Sequence, residues 1–130
     1  MKNPLLEKWE TKLHTLFDDI DNHLEDKYGD LYPLAPSRKP RGEGINPEND
    51  GLFDLSVTFS AGFTSKLGPG YIFRVKMATL SRVPKELTNK IEDEVVSILK
   101  MRLPETFPDK DLKVARDGNV FKIYGNLDLN

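Results

Sequence analysis

Cysteine is absent from the chain, which removes disulfides, thiolate catalysis and cysteine-held zinc or iron–sulfur clusters. A chain of this kind suits a reducing compartment, and the expected location is the cytoplasm. Histidine is scarce, and the only two, His14 and His23, fall on opposite sides of one helical pattern, so they cannot share a metal. No apolar run approaches the length of a membrane span, and the opening Met1-Lys2-Asn3-Pro4-Leu5-Leu6-Glu7-Lys8 meets charge too soon for a signal peptide. A large excess of one charge is also missing, because the formal net charge is −2, which argues against a bulk polyanion binder. No serine has a legible histidine and acid partner, and no close carboxylate pair stands on a strand. The expectations are therefore no cofactor, no metal, no membrane and, more readily than an enzyme, a non-catalytic protein.

What remains is a chain of 130 residues, expected to form one domain over 1–130 and to bury roughly two thirds of its unfolded surface in one core. From Leu5 the apolar residues Leu6, Trp9, Leu13, Leu16, Phe17, Ile20, Leu24 and Tyr28 recur at helical spacing, and Gly29 ends the stripe. The other faces carry Glu7, Glu10, Asp18, Asp19, Asp21, Glu25 and Asp26, which predicts an acidic, solvated side. Residues 30–52 hold Pro33, Pro36, Pro40 and Pro47 with Gly42, Gly44 and Gly51, a density of breakers that predicts a long loop. A loop of that length in so small a chain reads as functional or mobile.

Residues 53–63, Phe-Asp-Leu-Ser-Val-Thr-Phe-Ser-Ala-Gly-Phe, alternate strictly, with Phe53, Leu55, Val57, Phe59, Ala61 and Phe63 on one face. A Gly68-Pro69-Gly70 loop and a strand from Tyr71 to about Leu80 complete a hairpin. The segment 62–70 has the glycines, hydroxyls and lysine of a phosphate cradle but not its spacing, since Pro69 follows Gly68. Pro84 suits the first turn of a second helix whose stripe is Leu87, Ile91, Val95, Ile98, Leu99 and Leu103, with Pro104 as its stop. A last hairpin runs from Leu112 to Arg116 and from Val120 to Leu129, turning at Asp117-Gly118. The order α-β-β-α-β-β gives an α+β fold, a two-layer sandwich with two helices packed on one face of a four-stranded, mainly antiparallel sheet.

The other face is then open. Placing odd-numbered residues of the first two strands in the core sends Arg74 and Lys76 outward beside Ser56 and Thr58. The second hairpin, with Leu112, Val114, Phe121 and Ile123 inward, adds Lys113, Lys122 and Tyr124. Four cations thus share a face with one acid, Asp54, although the chain as a whole is acidic. A second basic feature is Ser37-Arg38-Lys39-Pro40-Arg41-Gly42, where Arg38, Lys39 and Arg41 sit on the proline-stiffened loop. Together these ten residues predict a binding or adaptor domain that holds an acidic protein surface or another anionic ligand. An RNA-binding module ranks second, because Tyr124 is the one outward aromatic available to stack a base. A small enzyme with a site between loop and sheet ranks third, and a homodimer formed through the open face is a further expectation.

Overall fold

The computed structural model describes residues 4–63 and 65–126. Helix α1 spans Pro4–Tyr28, and the stripe from Trp9 through Leu24 to Tyr28 is buried. The Gly29 N–H bonds the Glu25 carbonyl at 2.9 Å, and a Cβ at Gly29 would collide with that same oxygen, so the last turn closes on a residue without a side chain. After the long loop and its short 3-10 turn (Pro47–Asn49) come β1 (Phe53–Asp54), β2 (Val57–Ser60), β3 (Gly70–Phe73) and β4 (Lys76–Met77). Helix α2 (Lys85–Thr106) leads to β5 (Leu112–Asp117) and β6 (Val120–Gly125).

The fold is α+β. Its main sheet has the order β2-β3-β6-β5 with every neighbour antiparallel, and β1 pairs with β4. Phe53 opposite Met77 and Val57 opposite Phe73 keep one register, so β1–β2 and β4–β3 are two long strands of a single hairpin. The ladder lapses where Leu55 and Ser56 pass Val75 and Arg74. The cause is local: Asp54 Oδ1 accepts both the Ser56 N–H (3.1 Å) and the Ser56 hydroxyl (2.7 Å), diverting the N–H that would continue toward Arg74.

Cross-strand partners share a face. Phe53, Val57, Tyr71, Phe73, Phe121, Ile123 and Val114 fall on one side and are all buried. Both helices cover that side. Trp9 and Phe17 of α1 meet the rings of Tyr71 and Phe73 at 4.8 and 5.1 Å, while Ile91, Val95, Leu99 and Leu103 of α2 complete the core. Glu94 of α2 joins the helices by accepting from Lys27 (2.6 Å) and Tyr28 (3.1 Å), with His23 also at 3.1 Å. Burial pushes its carboxyl up, but those three contacts outweigh burial and hold it below the ordinary glutamate value.

Several expectations need correction. The first strand stops at Ser60, so Ala61 and Phe63 lie in the hairpin loop with Phe63 96% exposed, and Phe59, though on the core face, is 56% exposed at the sheet edge. Pro84 precedes α2 instead of entering its first turn, and Pro104 lies inside the last turn instead of stopping the helix before it. The second hairpin pairs Asp117 with Val120, so its two turn residues are Gly118 and Asn119. Gly118 supplies the required positive φ of 67°. Leu127 and Leu129 lie outside the described residues. Asp21 and Glu25 are buried instead of solvated.

The division between Phe73 and Phe59 is measurable. Phe73→Ala should cost about 3–5 kcal/mol in chemical denaturation, because its ring is enclosed between Phe17 and Phe121. Phe59→Ala should cost the monomer less than about 1.5 kcal/mol, measured at concentrations low enough to keep the chain monomeric, since more than half of the side chain already meets water there. Equal losses at the two positions would contradict this assignment of the edge.

Candidate functional site

The outward face follows from the register as a grid of rows across the hairpins. One row holds Ser60, Gly70, Tyr124 and Lys113, the next Thr58, Ile72, Lys122 and Ala115, and beyond them stand Ser56 with Arg74 and Asp54 with Lys76. Every residue assigned outward from the sequence is on this face. They do not form one surface, however, because the first hairpin's loop folds back across its middle.

Lys122 is the point of closure. Its Nζ donates to the Gly68 carbonyl at 2.8 Å and lies 3.1 Å from Asp117 Oδ2, and its side chain is only 2% exposed. The Ser65 hydroxyl also bonds Asp117, and Ser65 and then Lys122 hold that carboxyl below its ordinary value. Lys122 is therefore a structural cation that pins the loop to the sheet, and it is withdrawn from any ligand. Lys113 and Tyr124 lie two rows from Arg74, about 13 Å along the strands.

Arg74 and Lys76 have no ion-pair partner among the described residues. With Asp54, Ser56, Thr58, Ile72, Phe73 and Val120 they line a groove of about 170 Å³. That is below the size of an ordinary small-molecule pocket, and it suits one charged group presented by a larger partner. The groove opens where the ladder lapses, so Asp54 shapes it as well as lining it. Sequence reading identified Ser56, Thr58, Arg74 and Lys76 but not this role of Asp54, which an acid two residues before a serine in a strand would have suggested.

The basic loop is organised differently from expectation. The Arg38 guanidinium is spent on main-chain carbonyls: Nε reaches Gly51 at 3.0 Å, and Nη2 reaches Glu48, Asp50 and Phe53 at 2.8–2.9 Å. Asp50 Oδ2 accepts the N–H groups of Gly42 and Gly44, both at 3.0 Å. Arg41 pairs with Asp26 at 2.7 Å. Lys39 is the loop cation that remains exposed without a side-chain partner among the described residues. The loop is thus a laced structure instead of a mobile arm, and Arg38 is its clasp.

Beneath the loop lie the buried acids of α1. Glu25 Oε1 accepts the Phe53 N–H at 2.7 Å. Burial pushes its carboxyl above the usual range, against the pull of the Phe53 and Leu52 N–H groups. Asp21 is 2% exposed and neither of its carboxylate oxygens has a hydrogen-bond partner among the described residues. Burial first, then the neighbouring charges of Glu25 and Asp50, push it up to about 8, with Arg38 opposing. Sequence carried a signal for both, since Phe17, Asp21, Glu25 and Tyr28 form one row at helical spacing. A cavity of about 560 Å³ opens between the end of α1 and the loop, with Glu25, Asp26, Asp30, Tyr32 and Arg41 among its walls. No group of side chains among the described residues is arranged to hold a metal ion, and no helix there is long and apolar enough to cross a membrane.

Residues 4–125 match the model of a protein family described as "Uncharacterised protein", and the chain belongs to that family. It is 36% identical over 118 residues to an "Uncharacterized protein" of Borreliella burgdorferi, an alignment covering 91% of this chain and 92% of the relative. No solved structure matches the chain.

Two measurements test this geometry. Arg38→Ala leaves several carbonyls without a donor, so trypsin should cut the native variant after Arg41 at least about tenfold faster than the parent. Asp21 is raised in the folded state from 3.8 to about 8. Its neutral form therefore costs nothing below pH 3.8, and the burden of its charge grows as pH rises to about 8 and then levels off. Asp21→Asn should flatten that segment of the stability–pH curve, and an unchanged slope would show that Asp21 is not the titrating group.

Proposed function

We propose that the chain is a non-catalytic, cytoplasmic binding module that holds an anionic group of a macromolecular partner in the groove between Ser56 and Arg74. The observation that carries this reading is the pairing of two cations, Arg74 and Lys76, with no internal partner among the described residues, in a recess that also contains Thr58. Three of the other basic residues singled out from the sequence are committed: Lys122 to Asp117, Arg38 to carbonyls and Arg41 to Asp26. Lys39 and Lys113 are also without an ion-pair partner among the described residues but stand singly, whereas Arg74 and Lys76 stand together and give a local field suited to a carboxylate or phosphate. The absence of cysteine supports a reducing location.

The two alternatives are less well supported. Tyr124 is about 13 Å from the Arg74 row, so base stacking and phosphate contact would not fall on one nucleotide. An enzyme using the larger cavity would rely on Glu25, whose carboxylate is engaged by Phe53, and no serine, threonine, histidine or lysine stands on the cavity wall.

Arg74→Glu with Lys76→Glu should leave the denaturation midpoint nearly unchanged. Titrated with a short polyglutamate peptide at low salt, this variant should bind at least about tenfold more weakly than the parent. A double reversal of the exposed Glu86 and Asp93 on α2 should not weaken binding. Single-stranded RNA is the second probe. A steep salt dependence with RNA and none with the peptide would favour the nucleic-acid module, and indifference to the Arg74 and Lys76 reversal with both probes would end the groove reading.

A further inference from the structure

The outer edge of the first long strand is sealed at one end and bare at the other. At Phe53 both main-chain groups on the outer side are taken, the N–H by Glu25 (2.7 Å) and the carbonyl by Arg38 (2.8 Å). Main-chain groups alternate sides along a strand, so those of Val57 and Phe59 point to the same edge. There, among the described residues, β2 has a neighbour, β3, on its inner side alone. Val57 is buried, but from Thr58 through Phe63 the edge reaches solvent, with Phe59 and Phe63 56% and 96% exposed.

Natural sheets guard such an edge with lysine, proline or a covering segment. Among the described residues this one carries no such guard. Leu55 to Ser65 contains no charged residue and no proline, in a chain of which 31% is charged. The opposite edge, β5, is guarded by Lys113, Arg116 and Asp117. Phe59 is also the outermost member of a run of rings, 5.4 Å from Tyr71, which lies 4.8 Å from Trp9, itself 4.8 Å from Phe107. The core therefore continues to the edge and ends there uncovered.

We infer that the edge of β2, Val57–Ser60, with the loop residues Ala61–Phe63 beside it, is the site where a second copy of this chain pairs, β2 against β2 about a twofold axis normal to the sheet. A neutral strand meets an identical strand without like-charge repulsion, whereas the β5 edge would bring lysine and arginine to the seam. In this arrangement the core faces of the two copies lie on one side, so Phe59 of each copy is covered by the other, and the four-stranded sheets join into one of eight. Both Arg74 grooves then open on the same outward surface. They stand at least three strand spacings apart, about 14 Å across the strands before any displacement along them, beyond the screening length at physiological salt, so they add no obstacle to pairing. The inference is independent of what the grooves hold.

Sedimentation equilibrium of the full chain decides it. The parent should sediment at about twice its 14.8 kDa mass, and Phe59→Glu should weaken self-association at least about tenfold while keeping a cooperative melt. Phe63→Glu, at a side chain almost fully in water, should weaken it too and serves if Phe59→Glu does not fold. Lys113→Glu on the far edge should change nothing, and neither should the Arg74 and Lys76 reversal, which separates this test from that of the groove. The amides of Phe59 and Ala61 should exchange with deuterium more slowly as concentration rises. A monomer at every concentration, a trimer or ring, dissociation by Lys113→Glu, or concentration-independent exchange at Phe59 and Ala61 would each overturn the inference.

Discussion

Everything on the sheet is positioned by the way Glu25 is accommodated. A carboxylate taken from water needs donors, and the donors here belong to the main chain where the loop becomes a strand. Close approach requires Gly51, whose φ is 70° and whose Cβ would strike the carboxylate, and Gly29, whose Cβ would strike it from the helix end. Arg38 then binds the carbonyls on either side of that junction, including that of Phe53. Phe53 therefore enters the sheet with its ring inward and its outer groups satisfied, and because a strand has period two, its placement decides the side taken by every residue that follows.

This explains which parts of the molecule were legible in the sequence. Where burial itself writes the pattern, as in Trp9 to Tyr28 or Phe121 and Ile123, spacing alone identifies element and face. The outward assignment of Ser56, Thr58, Arg74 and Lys76 follows from the same parity. Illegible from spacing were the interactions made by polar side chains at long range. Arg38 and Lys122 look like available cations because sequence shows their charge and not the carbonyls around them. Asp21 and Glu25 look solvated because acids usually are, although they continue the row of Phe17 and Tyr28. Phe59 fits the alternation and still meets water, because period two identifies a face and carries no information about how far the covering layer extends.

The same distinction governs the charge of the outward face. Counted along the sequence, Arg74, Lys76, Lys113 and Lys122 form a basic sheet, but Lys122 is neutralised against Asp117 beneath the 61–69 loop. The loop thereby confines the free positive potential to two separate places, Arg74 with Lys76 and, about 13 Å away, Lys113. Fields at protein surfaces decay over roughly 8 Å at physiological salt, so the two act separately and not as one broad patch. A site built this way is better matched to a localised anionic group than to the continuous charge of a nucleic-acid backbone.

Asp54 narrows the match further. It removes Ser56 from the list of free donors by accepting both its N–H and its hydroxyl, and by interrupting the ladder it opens the space that Arg74 borders. Thr58 keeps an uncommitted hydroxyl among the described residues. The groove thus offers two cations, one free hydroxyl and one fixed acid, a combination with a single net positive charge. One carboxylate satisfies that balance, while a doubly charged phosphate would meet the repulsion of Asp54 at close range. If the groove binds as proposed, the acid that breaks the ladder is also the feature that would favour an acidic side chain over a more highly charged anion.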